Sequence, residues 1–260
     1  MDLGPFERVA GRLHGSLIFR LLGQKHDWAP VQARKGTKGP MAVVSICSTK
    51  GGVGKTTLVI CLADAFARQG GSVVILDADP NGHVAAWREM AGTETTVDVI
   101  SAITEDTIQA HIEEASTRYS IVLVDLEGAA SQSVTYAIAW SDLVLMPTKT
   151  SGMDLQELYR TFAVVQRTEK ALRRRIEARA VFSQIPALKN RVSNHARGLV
   201  AGKGIPALAN EILHRPSAYQ AMHFTGVTPA HPDGDGKAAQ EIRATLSEVL
   251  GILECQKQAA

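Results

Sequence analysis

Apolar positions along the chain fall into two alternating patterns. Short unbroken runs, many of them β-branched, occur at MAVVSICS (41–48), SVVIL (72–76), IVLV (121–124), LVLM (143–146) and ARAVF (178–182). Runs of that length without polar alternation fit strands buried on both faces. Between them lie stretches of helical period. Thr56–Gln69 sets Leu58, Leu62, Ala65 and Phe66 on one face and stops at Gly70 and Gly71. A long helix is predicted from about Asp154 to Arg175, and Ala238–Leu253 turns Ile242, Leu246, Leu250 and Leu253 inward. The stretch before that last helix, GVTPAHPDGDGK (226–237), is turn-rich loop. Strands covered on both faces and alternating with helices predict an α/β fold: a doubly wound, mainly parallel sheet with helices on both faces.

Residues 1–40 stand apart from this alternation. Phe6, Val9, Leu13, Leu17 and Leu21 share one helical face, and a polar linker, QARKGTKGP (32–40), follows Trp28. Three readings stay open for this leader: a helix that docks on a partner or membrane surface, a helix packed on the domain, or a dispensable extension before a start at Met41. The expected division is therefore 1–40, leader and linker, and 41–260, one folded domain.

Composition narrows the class. Length and a 45% hydrophobic content suit a globular α/β chain with a full core. The cysteines Cys47, Cys61 and Cys255 are odd in number, widely spaced and outside any metal or redox motif, which points to a reducing compartment. No apolar stretch has the length of a membrane span, and a cytoplasmic protein is expected. The formal net charge of +2 conceals an uneven distribution. Residues 1–40 carry 7 basic and 3 acidic side chains, 41–150 carry 6 and 13, and 151–260 carry 15 and 10. An acidic centre lies between two basic flanks.

The strongest chemical signal is STKGGVGKTT (48–57), set between a predicted strand and a predicted helix. Glycines in that setting let successive backbone N–H groups turn toward phosphate oxygens, and the helix adds the positive end of its dipole. Lys55 is placed to reach β- and γ-phosphates and the Thr56 hydroxyl to meet Mg²⁺. The strict GxxxxGK[ST] pattern needs glycine where Thr49 stands, and the loop instead carries a second lysine, Lys50. In this the segment resembles the deviant Walker A loop of the ParA/MinD family of P-loop ATPases. The resemblance implies that Gly51, Gly52, Val53, Gly54, Lys55, Thr56 and Thr57 bind ATP. It also implies that Lys50 crosses to the partner's ATP in a nucleotide-sandwich homodimer.

Two acidic motifs agree with that resemblance. LDADPN (76–81) is similar to the family's DxDP motif, which implies that Asp79 orients or activates the attacking water and that Asp77 supports the site near Mg²⁺. IVLVDLEG (121–128) supplies a Walker B-type carboxylate, Asp125, expected to hold a Mg²⁺-bound water. One strand-end aspartate is more often a turn or cap residue; several at adjacent strand ends, downstream of a phosphate loop, reverse that reading. Glu127 departs from the family pattern and is either a solvated loop acid or a group that tunes the γ-phosphate response. Pro147 and Asp154, in MPTKTSGMD (146–154), match a junction that touches the neighbouring subunit or nucleotide in related ATPases; Asp154 also reads as a helix-initiating acid. FSQIP (182–186) resembles the segment that packs on the purine, with Ser183 and Gln184 replacing its usual asparagine.

The resemblance implies an Mg²⁺-dependent ATPase without naming its cargo. Arg173, Arg174, Arg175, Arg179, Lys189, Arg191, Arg197 and Lys203 form a basic C-terminal half, which partition-type members use for non-specific DNA binding. The same arginine run also reads as a solvated helix end. The expectation is plasmid or chromosome partition by a nucleoid- or DNA-associated ATPase with a centromere-binding partner. The alternatives are a VirC-like ATPase that works with DNA-processing proteins in conjugative transfer and a MinD-like membrane-surface protein. The polar ending ECQKQAA (254–260) carries no amphipathic anchor and disfavours the last. RPSAYQAMHFTG (215–226) resembles a segment shared by both DNA-handling subtypes and does not separate them.

Overall fold

In the computed structural model, residues 42–128, 131–187, 191–232, 234 and 236–259 are described. The leader, Met41 and Lys189 lie outside them, so the expectations placed on those residues carry no structural statement.

Six parallel strands form one sheet: β1 (Ala42–Ile46), β2 (Val73–Ala78), β3 (Asp98–Ile100), β4 (Ile121–Leu126), β5 (Leu143–Thr148) and β6 (Glu177–Phe182). Their spatial order is β3-β2-β4-β1-β5-β6. Helices connect or follow them: α1 (Lys55–Ala67), α2 (His83–Ala91), α3 (Ile108–Ser116), α4 (Gln132–Trp140), α5 (Gly152–Leu172), α6 (Arg191–Gly202), α7 (Pro216–Thr225) and α8 (Gly236–Ala259).

The unbroken apolar runs behave as their composition requires. Alternate residues of one strand enter different cores: Val44, Ile46, Ile75 and Leu123 meet α1, α2 and α8, while Val43, Val74, Leu76 and Val124 meet α3 to α6. A strand with helices on both sides has no polar face, so alternation is lost. The inward face predicted for the last helix is also found, with Ile242, Leu246 and Leu253 buried and Leu250 partly so.

Two sequence expectations shift. The predicted long helix stops at Leu172 rather than Arg175, because Arg173 takes the left-handed conformation (φ 52°) and closes it. Edge strand β3 and helices α2, α3, α4, α6 and α7 are not predicted; β3 has three residues and α2, α3 and α4 nine each, too few repeats to set a period apart from a loop.

Candidate nucleotide-binding site

The sheet brings its carboxyl ends together where the strand order reverses around β1, the place where open α/β sheets bind ligands. The phosphate loop leaves β1 there. Gly52 (φ 72°) and Gly54 (φ 91°) adopt the left-handed conformation that a Cβ disfavours, and Gly54 opens α1. No side chain caps α1 and its first turn holds no acid. Its leading N–H groups are thus left for an anion. Val53 and Lys55 are buried within this turn. Gly128, past the end of β4, backs the loop: a Cβ there would stand 3.3 Å from Lys55 Nζ and 3.5 Å from Gly51 N.

Two of the acids predicted from sequence meet in register. Asp77 on β2 pairs directly with Asp125 on β4. Asp77 is buried, and its oxygens accept from the backbone N–H of Asp79 (3.4 Å) and Ala85 (3.3 Å). Burial raises its pKa, against the pull of those two amides. Asp125 is fully buried, and among the described residues neither carboxylate oxygen has a hydrogen-bond partner. Burial pushes its pKa up to about 7; the Thr56 side chain and Lys55 draw it down, while Asp77 and Asp79 push it further up. Such a bare carboxylate, beside a threonine hydroxyl and a lysine, is a fit place for a hard cation that shares its other ligands with phosphate oxygens. Asp125 and Thr56 are the groups that could hold Mg²⁺. Asp79 turns one oxygen to its own loop, accepting from Asn81 N (2.9 Å) and Asn81 Nδ2 (2.7 Å). Glu127 is exposed, as a solvated loop acid would be.

Lys50 does not project freely. Its Nζ donates to Asp154 Oδ1 at 2.5 Å, and Asp154 is buried in the first turn of α5, where Ser151 also donates to it. Burial would raise the Asp154 pKa, but the hydrogen bonds from Lys50 and Ser151 win and hold it below the ordinary carboxylate value. Of the two readings of Asp154, the helix-initiating acid is found in the first turn of α5, and the in-chain pair with Lys50 is a contact that neither reading named. Thr49, the departure from the strict motif, is held by the same helix. Its Oγ1 donates to Glu157 Oε2 (2.7 Å) and its N–H to Thr161 Oγ1 (3.1 Å).

Ser183 and Gln184 strap the loop from β6. Ser183 Oγ donates to Val53 O (2.7 Å) and Gln184 Nε2 to Gly52 O (3.1 Å). These contacts occupy the carbonyls of Gly52 and Val53 and hold that turn of the loop to β6. Beside the strap opens a cavity of about 190 Å³, lined by Gly54 and Thr57 on one side and Leu213, His214 and Pro216 on the other. Sequence reading missed Gly128, Glu157 and Thr161; only Gly128 carried a signal, as a glycine just beyond a strand-end acid.

The basic C-terminal residues prove unequal. Arg174 donates to Ala139 O (2.6 Å), Arg179 pairs with Glu177, and Arg197 pairs with Glu211 (2.5 Å) and stands over the Phe182 ring. Lys203 lies 5.8 Å from the Tyr159 ring centroid. Arg173, Arg175 and Arg191 are exposed, Arg175 at 82% with Glu177 3.7 Å away. Arg173–Arg175 lie between the end of α5 and the start of β6, at the end of the sheet opposite the phosphate loop.

A parallel doubly wound sheet with a glycine loop, a second lysine and a bare strand-end aspartate defines a P-loop ATPase of the ParA/MinD type. More narrowly, the family model described as VirC1 protein matches residues 41–232, and the chain belongs to that family. Protein ParA of Rhizobium radiobacter is 30% identical over 216 residues, covering 82% of this chain and 97% of its own. Protein virC1 of Rhizobium rhizogenes is 28% identical over 192 residues, covering 72% and 82%. Among solved structures, the ATP complex of McdA from Cyanothece superposes with a TM-score of 0.66 at 17% identity, covering 82% of this chain and 97% of that one. No helix among the described residues is long and apolar enough to cross a membrane.

Proposed function

We propose that this chain is an Mg²⁺-dependent ATP hydrolase that dimerises face to face on ATP and, as a dimer, holds DNA without sequence preference. The observation that carries the reading is the bare, buried Asp125 beside Thr56 and Lys55, below an uncapped helix N-terminus. The N–H groups of Gly51 to Thr57 and the Lys55 ammonium would bind the phosphates. Asp125, with Thr56, would hold Mg²⁺, and Asp77 would support the site near it. The ion would spread the negative charge of the β- and γ-phosphates. Asp79 would orient the attacking water and accept its proton as the phosphoryl group departs. The base would enter the cavity beside Thr57.

Lys50 would leave Asp154 to reach the partner's nucleotide. Lys50 would exchange one anion for another, while the buried Asp154 would keep only its Ser151 donor and need a new cation across the interface to offset the lost pair. Folded residues 41–260 would do this work, with 1–40 a leader; a chain begun at Met41 that lost folding or ATP turnover would rule that division out.

Purified protein should form a dimer with ATP and Mg²⁺, and a monomer with ADP, in light scattering after gel filtration. Lys50→Ala should stay monomeric, and Asp79→Ala should dimerise without hydrolysing. Hydrolysis undiminished in Asp79→Ala would refute the water-handling role.

The DNA task is read as partition, with a centromere-binding partner. The family match favours a second reading, recruitment of DNA-processing proteins in conjugative transfer. An adjacent gene for a centromere-binding protein would decide for the first, and adjacent transfer genes for the second.

A further inference from the structure

The cavity beside Gly54 and Thr57 has one wall that belongs neither to the phosphate loop nor to the sheet. It is made by Leu213, His214, Arg215 and Pro216. The segment leading into it runs alongside β6, donating from Leu208 N to Ala180 O (2.9 Å), from Ile212 N to Phe182 O (2.9 Å) and from His214 N to Ile185 O (2.7 Å). Because successive backbone groups of an extended segment point opposite ways, Leu213 N faces away from β6.

On that other side stands α8, with two carboxylates on one face, seven residues apart. Glu248 accepts from Ala209 N (2.7 Å), Asn210 N (3.1 Å) and Asn210 Nδ2 (2.8 Å). Glu241 accepts from Leu213 N (3.1 Å) and, on its other oxygen, from Arg215 Nε (2.9 Å) and Nη2 (2.6 Å). One carboxylate thus gathers three donors from two residues of the cavity wall. Its sister grips the same segment further upstream, before the bonds to Phe182 and Ile185.

We propose that Glu241 is a positioning residue for the nucleotide base: it holds the Leu213–Arg215 wall at the distance the base requires, without touching the nucleotide itself. The inference rests on the ATP-binding reading above. Loss of the Glu241 carboxylate leaves a half-buried N–H and a guanidinium without that acceptor, and the wall relaxes where it lines the cavity. Loss of Glu248 loosens residues 209 and 210, which keep the bonds from Arg197 Nη2 to Ala209 O (3.4 Å) and from Asn210 Nδ2 to Ala244 O (3.2 Å), and the bonds at Ile212 and His214 stop any slack before the wall. Glu248 is the internal control, with the same helix, the same segment and no purchase on the cavity.

The discriminating measurement is calorimetric titration of the full chain with Mg²⁺ and either a non-hydrolysable ATP analogue or inorganic tripolyphosphate, which has no base. Glu241→Ala should bind the ATP analogue about tenfold more weakly, the size of one charge-assisted hydrogen bond, and tripolyphosphate as wild type does. Glu241→Gln, which keeps an acceptor for Leu213 N, should recover part of the loss and guards against a variant that fails to fold. Glu248→Ala should melt lower but bind both ligands normally. Unchanged binding of the ATP analogue in Glu241→Ala overturns the proposal, as does an equal loss for both ligands, which would mark a merely structural role. A wild-type chain that binds neither ligand overturns the ATP reading, and this proposal with it.

Discussion

Asp125 is a carboxylate that, without a cation beside it, keeps its proton to near neutrality. Its pKa stands at about 7 because the strand end is dry, and the Thr56 side chain and Lys55 offset only part of that burial. A carboxyl whose folded pKa is raised favours the native state while protonated. That contribution is whole below the unfolded value near 4 and is lost as pH rises through about 7. The metal-free protein should therefore weaken between those limits through this one group. Asp125→Asn should remove the penalty: at pH 8 the variant should melt above wild type, by no more than roughly 4 kcal/mol of stability, and the gain should vanish toward pH 4. The same variant should lose the stabilisation that Mg²⁺ with nucleotide confers on wild type. Equal melting curves across that range would show the buried charge to be relieved by something else. The acid and its strand-end position were plain in the sequence. Its dry surroundings were not, since they depend on how neighbouring segments of the fold pack around the strand end.

The elements around the site depend on side chains that local patterns do not mark. Ser183 holds the phosphate loop by one hydrogen bond to Val53 O. Ser183→Ala should cost about 1 kcal/mol and speed hydrogen exchange at the loop's amides more than in the distant α3, read by mass spectrometry. Asp64, in the last turns of α1, is buried and accepts from Arg68 Nε (2.8 Å), Thr95 Oγ1 (2.8 Å) and Thr228 Oγ1 (2.5 Å). It ties α1 to the segments before β3 and α8. Asp64→Ala takes this acceptor from two buried threonine hydroxyls and from Arg68, which keeps Glu94 O (2.9 Å), and should destabilise the chain by about 2–4 kcal/mol in urea unfolding. Periodicity placed Asp64 on a helix without showing that its face is turned inward, because a charged residue at a core position contradicts the simple pattern. Helices α3 and α4, nine residues each, escaped reading for a plainer reason. Two and a half turns give too few repeats to set a period apart from a loop.

At the scale of the whole molecule, the charge distribution has acquired a direction. Three of the acids behind the negative centre, Asp77, Asp79 and Asp125, gather at the carboxyl ends of the strands, while Arg173–Arg175 lie at the opposite end. Phosphate contacts there would be made far from ATP. Substituting Arg173 and Arg175 together by alanine should weaken ATP-dependent DNA binding and flatten its salt dependence by about two units of slope. ATP turnover without DNA should stay at the wild-type rate. Nucleotide-independent DNA binding, or binding indifferent to those arginines, would defeat the coupling. Arg179 and Arg197, which the sequence counted with them, should contribute little, because their charge is already paired.

By itself the sequence determined what is local. The glycines at 52 and 54 dictate a left-handed turn, the unbroken apolar runs dictate strands covered on both faces, and the two lysines and strand-end acids name phosphate chemistry. Those features hold because backbone sterics and the period of burial act within a few residues. Tertiary structure alone decided which distant groups meet. Lys50 finds Asp154, Ser183 finds Val53, and Glu241 finds Arg215, each through a strand order that places β1 between β4 and β5 and closes the site with α8. That order is settled by packing two helical layers onto one sheet, an energy summed over the whole core and written at no single position.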